Sequence, residues 1–119
     1  MSNIIYHLAP IEYFHAQSPD RPYTPAEFER EGFIHCTSGD EQLVIVANRY
    51  YRADERAFLV IVIDEDLVTA QIKYEPGKDA VLYPHIYGAL NRSAIVSVLR
   101  MPRLPDGSFQ FPDRNMTQV

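Results

Sequence analysis

The sequence has a single cysteine, no long apolar run and no surplus of cations, and each shortage removes a class of protein. Cys36 alone excludes an internal disulfide and a metal site built only from thiolates. The longest uninterrupted apolar run, Ala57–Ile63, is far short of the ~20 residues a membrane helix needs, so no membrane association is expected. A net charge of −5 and a pI near 5.2 argue against a nucleic-acid surface, which needs clustered cations to displace counterions. No DNA partner is expected, although Arg49, Arg52 and Arg56 are close enough in sequence to make a local basic patch. Met1-Ser2-Asn3 lacks the basic and apolar regions of a signal peptide, and a cytoplasmic location is the expectation. There is no Walker loop, GxGxxG, GxSxG or HExxH, and no internal repeat or low-complexity tract.

What remains is an ordinary globular composition, 46% hydrophobic and 23% charged over 119 residues, which predicts one domain with a buried core. Ile4–Leu8 reads as a first strand stopped by Pro10, with a short helix from Pro10 or Ile11 to Ala16. Thr24-Pro25-Ala26-Glu27 has the form of a capping box opening a brief helix that Gly32 ends. Phe33–Cys36 follows as a strand, with Phe33 and His35 on one face and Ile34 and Cys36 on the other. Ser38 and Glu41 form a second capping box before a helix over about 39–51. Its apolar positions Leu43, Val46, Ala47 and Tyr50 follow helical spacing, while Asn48, Arg49 and Arg52 fall mainly on the opposite face. Phe58–Ile63 has no polar positions and should be a central strand covered on both sides. Gln71–Glu75 alternates as a half-exposed strand, Ala80–Tyr83 reads as another short strand, and Ile95–Arg100 is a strong one. The expected folded unit is 1–109, with 110–119 as a loosely attached tail. Helices cluster early and strands late, with too few crossovers for a doubly wound sheet, so the fold class is α+β.

Two segments concentrate the chemistry. Glu31-Gly32-Phe33-Ile34-His35-Cys36-Thr37-Ser38 places a histidine and two hydroxyls at the end of a strand, just before a helix start that attracts anionic or carbonyl oxygens. Tyr83-Pro84-His85-Ile86-Tyr87-Gly88 adds a second imidazole between two tyrosines, a composition suited to stacking a planar ring and hydrogen-bonding its edges. The two segments are expected to meet in one polar pocket. His35 and His85 are the candidate catalytic residues, because a neutral imidazole exchanges protons near neutral pH. The competing reading makes Ser38 a cap, His35 a hydrogen-bonded core residue and the tyrosine segment a packing corner. His7 is a third imidazole at the end of the first strand. His7, His35 and His85 could together ligate zinc or iron, but no pair has close ligand spacing, so no metal site is assigned. Cys36 in an apolar strand is a poor nucleophile. Glu75, at a strand end before Pro76-Gly77, is a better carboxylate candidate than the solvated turn Asp64-Glu65-Asp66.

With Gly32-Phe33-Ile34-His35-Cys36-Thr37, Ala47-Asn48-Arg49-Tyr50-Tyr51, Tyr74-Glu75-Pro76 and Pro84-His85-Ile86-Tyr87-Gly88 in one order, the chain resembles the DUF952 family over nearly its whole length. It departs from the family's usual Gly-Pro-Leu with Gly-Ala-Leu at Gly88–Leu90. The resemblance implies an α+β fold similar to the ADP-ribosyltransferase superfamily, a split, curved sheet whose cleft holds NAD in relatives. It implies a site in which His35 and His85 orient ribose or phosphate oxygens, Tyr87 or Tyr50 stacks a planar ring, and Thr37, Asn48 and Arg49 hold polar or anionic groups. No catalytic glutamate aligns from the superfamily, and Glu75 is the nearest candidate. A small-molecule ligand is implied, with NAD or a related nucleotide as substrate. A non-catalytic metabolite-binding module and a histidine-ligated metalloenzyme are the alternatives.

Overall fold

The computed structural model describes residues 3–112. Its strands form two antiparallel sheets. The first contains β1 (Ile4–Pro10), β3 (Phe58–Asp64) and β6 (Ile95–Arg100) in the order β1-β3-β6. The second contains β2 (Ile34–His35), β4 (Gln71–Pro76) and β5 (Leu82–Tyr87) in the order β2-β5-β4. Among the described residues three α-helices accompany them, α1 (Ile11–Ala16), α2 (Phe28–Glu31) and α3 (Asp40–Tyr51), with short 3-10 turns at Glu65–Leu67 and Arg92–Ala94. The architecture is α+β, and among the described residues no helix is long and apolar enough to cross a membrane.

β3 explains the layering. All seven of its residues are buried, so alternation sends its side chains into two different cores. Leu59, Ile61 and Ile63 join Ile5, Ala9, Ile34, Cys36 and Ile86 in a core between the two sheets. Phe58, Val60 and Val62 join Tyr6, Leu8, Leu43, Ala47 and Leu99 in a second core beneath α3. The first sheet is therefore the middle layer, with α3 on one side and the second sheet on the other. The sheets connect where Tyr6 and Thr37 exchange backbone bonds of 2.8 and 2.9 Å, which passes the chain leaving β2 onto the edge of β1.

Several local expectations shift for identifiable reasons. The strand expected over Ala80–Tyr83 starts later and runs through the histidine segment, because Ala80 occupies a left-handed turn position at φ 66°. Pro84 lies inside it, which a central strand ordinarily forbids. The Cys36 N–H donates to the Pro84 carbonyl at 3.1 Å, while the return bond would need the N–H that proline lacks. The β2–β5 ladder accordingly ends after His35.

Neither capping box forms. The Gln17 side chain holds both the N–H and the carbonyl of Thr24, and Tyr23 pairs with Leu90, so this stretch stays extended and α2 waits until Phe28. α3 begins at Asp40 behind Gly39, whose φ of 91° and ψ of 137° suit glycine and leave no side-chain cap. The buried stripe of α3 is Leu43, Ala47 and the half-buried Tyr51, which packs on Phe58 at 4.7 Å. Tyr50, expected inside, is 57% exposed. Within the segment expected as a tail, Phe111 packs edge-on against Tyr6 at 5.3 Å; residues 113–119 lie outside the described residues.

Candidate functional site

Antiparallel register brings the two predicted segments together. His35 and His85 are directly paired across β2 and β5, and their ring centroids are 5.3 Å apart. Alternation buries Ile34 and Ile86 between the sheets and turns Phe33, His35, His85 and Tyr87 to the outer face. Phe33 stacks on His85 at 4.1 Å with an interplanar angle of 21°, and reaches His35 at 4.6 Å and Tyr87 at 5.3 Å. β4 completes the face: Lys73 pairs with His85, and its ammonium lies 4.9 Å from the centre of the Tyr87 ring.

Each histidine is held by a carboxylate. His85 donates from Nδ1 to Glu75 Oε1 at 2.8 Å, and the same oxygen accepts from the Tyr87 hydroxyl at 2.5 Å. His35 donates from Nε2 to Glu31 Oε2 at 2.8 Å. The tautomers follow because an ionised carboxylate only accepts. Hydrogen bonds from Tyr87 and then His85 keep Glu75 ionised below the usual carboxylate range; the bond from His35 does the same for Glu31. That leaves Nε2 of His85 and Nδ1 of His35 without a hydrogen-bond partner among the described residues. Such a nitrogen, on a ring oriented through its other nitrogen, is available to exchange a proton with a ligand.

The other predicted residues separate from this pair. Thr37 is buried at the junction of the sheets. Asn48 bonds the Phe109 backbone through both side-chain atoms, at 2.7 and 3.5 Å, and so anchors the C-terminal segment. Arg49 binds Asp79 at 2.9 Å, and Asp79 accepts from the Tyr83 hydroxyl at 2.5 Å. Those two bonds, Tyr83 first, hold the Asp79 carboxyl down at about 2. Because Tyr83 shares the outer face of β5 with His85, Arg49 reaches only the far end of that face. The exposed Tyr50 ring lies beneath the Arg49 guanidinium, 5.9 Å away. Cys36 is buried, and burial raises its thiol pKa, as an inert core cysteine requires.

Phe33, Glu31 and Lys73 belong to the histidine cluster and are not among the predicted site residues. Strand alternation could have found Phe33. Glu31 was hidden because Gly32 breaks the chain between it and His35, and Lys73 needed the β4–β5 register. Among the described residues no group of three or more His, Cys, Asp or Glu is arranged to hold a metal ion.

Behind β2 the structure forms two adjoining recesses, of about 80 and 40 Å³, that share Leu8, Glu27 and Tyr51. His7 lies in the smaller, fully enclosed by protein. Its Nδ1–H donates to the His35 carbonyl at 2.7 Å, and Nε2 accepts from the Tyr23 hydroxyl at 3.4 Å. Burial lowers the His7 pKa. The unfolded chain, with an ordinary histidine value near 6.5, then binds a proton that the folded state refuses, so stability falls as pH drops below about 6.5. Denaturant titrations between pH 7.5 and 5.5 should show stability falling toward the acid end, by at most ~1.4 kcal/mol over the whole window from this residue. The slope should flatten in His7→Gln; an unchanged slope would place the pH dependence elsewhere.

Comparison with known proteins supports the fold and the family. A crystal structure of CC0527 from Caulobacter crescentus superposes with a TM-score of 0.78 at 20% identity, covering 90% of this chain and 93% of that one. A double mutant of CC0527 carrying two methionine substitutions gives the same values. The solution NMR structure of CC0527 gives a TM-score of 0.71 at 21% identity, covering 88% and 90%. At these identities the likeness concerns the fold. No curated protein matches the sequence. The family profile described as "Protein of unknown function (DUF952)" matches residues 8–98, a span that includes the paired histidines and the Glu31 and Glu75 carboxylates that hold them, and the chain belongs to the DUF952 family.

Proposed function

We propose that this protein binds NAD or a related nucleotide or phosphate-bearing ligand at the outer face of β2, β5 and β4, and acts on its ribosyl or phosphoryl bond. One observation carries this reading: two cross-strand histidines 5.3 Å apart, each held at one nitrogen by a carboxylate and open at the other. Such a pair can take a proton from an attacking hydroxyl or water, and in phosphoryl transfer it can also give one to the leaving oxygen. Nicotinamide, by contrast, leaves a ribosyl bond as a neutral base that needs none. His35 and His85 are the proposed catalytic residues, and Glu31 and Glu75 position them. Tyr87 and Phe33 offer aromatic surface to a planar ring, and the Lys73 ammonium attracts anionic oxygens.

The nucleotide class rests on the ADP-ribosyltransferase-like fold that the family resemblance implies, with NAD as the first candidate substrate. Thr37, Asn48, Arg49 and Tyr50 carry less of this proposal than the sequence assigned them: Thr37 is buried at the sheet junction, Asn48 bonds the Phe109 backbone, and Arg49 pairs with Asp79 beside the Tyr50 ring. A cytoplasmic setting suits a nucleotide ligand and a free cysteine.

A second reading, binding without turnover, draws support from the unequal exposure of the pair: the His35 side chain is 49% exposed and that of His85 13%, and neither recess is lined by His85. Both readings are tested by ligand-induced stabilisation. NAD or ADP-ribose should raise the unfolding midpoint of the wild type, and His35→Ala or His85→Ala should abolish the rise. Turnover in addition selects the enzymatic reading.

A further inference from the structure

The recesses behind β2 hold a carboxylate that the fold leaves without a direct contact, although Arg56 on the same wall feels its charge. Glu27, at their junction, is half-buried, and its carboxylate accepts no hydrogen bond and makes no ion pair among the described residues. Among the described residues that line the larger recess the one Lys or Arg is Arg56, which lies over the Phe58 ring at 5.6 Å and directs its hydrogen bonds to Asp54. Its Nε lies 3.0 and 3.2 Å from the two Asp54 oxygens, and its Nη2 lies 2.7 Å from one of them. The walls are aromatic: Tyr13, Tyr23 and Phe58 in the larger recess, with Tyr51 shared by both.

The Tyr13 and Tyr51 hydroxyls also have no hydrogen-bond partner among the described residues, whereas Tyr23 is occupied by His7. Burial and then the nearby Glu27 charge raise the Tyr51 pKa, which keeps that phenol protonated and neutral. A carboxylate beside two unpartnered hydroxyls offers a converging set of acceptors to a cation that carries hydrogen-bond donors. Aromatic faces attract the same cation through their quadrupoles.

We propose that this recess is a binding site for a primary alkylammonium group, held by Glu27 and the Tyr13 and Tyr51 hydroxyls against the aromatic walls. An ammonium carries three donors and no acceptor, which matches one carboxylate and two phenolic oxygens. The larger recess, about 80 Å³, is smaller than the ~150 Å³ that accepts a benzene ring, and this favours a compact head group on a chain that leads outward. His35 borders the smaller recess but His85 lines neither, so His85→Ala separates this site from the proposed chemistry and either can fail alone.

The test is a titration of the full-length protein, followed by backbone amide NMR, with n-butylammonium and with uncharged n-butanol. Butylammonium should give saturable shifts at Leu8, Tyr13, Glu27 and Tyr51. Glu27→Gln, which keeps the side chain's shape, should weaken its binding at least tenfold with the rest of the spectrum unchanged, and Tyr51→Phe should weaken it less. His85→Ala should leave this binding intact. Butanol should produce no saturable shift. Equal binding of butanol, equal binding by Glu27→Gln, or no saturable shift with butylammonium would each overturn the assignment.

Discussion

Replacing Ile61 with alanine is expected to cost about 2–5 kcal/mol, a large share of the ~5–15 kcal/mol that holds a domain of this size together. Ile61 is wholly buried in the central strand, opposite His7 on one side and Val98 on the other. Its side chain enters the core between the two sheets, where it joins Ile5, Ile34 and Ile86. The loss combines the transfer free energy of the deleted carbons with a cavity that two sheets cannot easily collapse around. The second sheet, which carries both histidines, depends on this core for its attachment to the first. Ile45→Ala, at a position 46% exposed on α3, should change stability by less than about 0.5 kcal/mol. Denaturant unfolding of both variants checks the contrast. A cost at Ile61 no greater than at Ile45 would contradict the layered packing.

The second large effect is expected in chemistry. If the histidine pair exchanges protons with substrate, His85→Ala should lower turnover by about 10²–10⁴-fold on the nucleotide that binds, with the fold kept. The fold should survive because His85 projects away from the buried core, and its removal costs mainly the stack with Phe33 and the bond to Glu75. Glu75→Gln separates orientation from proton transfer. It keeps an oxygen that can accept from Nδ1 but loses the charge, so kcat should fall by less than in His85→Ala while KM changes little. A rise in KM with unchanged kcat would make Glu75 a binding residue. No change in either would leave the His85–Glu75 bond with a structural role alone.

Much of the framework was readable because local patterns and tertiary packing agree there. The unbroken apolar run at Phe58–Ile63 required a strand covered on both faces, and β3 is buried along its whole length. That the two histidine segments meet was expected from their shared chemistry, but their pairing as strands was not, since the second strand was expected to end at Tyr83 and β5 runs on to Tyr87. The misses arose where a distant partner overrode a local signal. Gln17 holds Thr24 and Leu90 holds Tyr23, which keeps that stretch extended against its capping box. Pro84 argued against a strand, but β2 stops where proline's missing N–H would be needed, and so the strand tolerates it. Helical spacing put Tyr50 on the inward stripe with Tyr51 beside it, but Tyr51 is the one that packs on Phe58 and Tyr50 is exposed. Glu27 could not be recognised as a site residue, because its recess exists only once the segment before α2 lies across β1 and α3.

The most direct test of the proposed function is a thermal-shift titration of the wild type, His35→Ala and His85→Ala with NAD, ADP-ribose and nicotinamide. A ligand that binds only the native state raises the midpoint with its occupancy, by about 2.7 kcal/mol of added stability at one hundred times its Kd. The prediction is a saturable rise with NAD or ADP-ribose in the wild type that disappears in both variants, whose ligand-free midpoints stay close to that of the wild type. A rise that persists in both variants would move the ligand away from the histidine face. No rise with any of the three ligands would contradict the nucleotide reading and leave the paired histidines without the substrate class proposed for them.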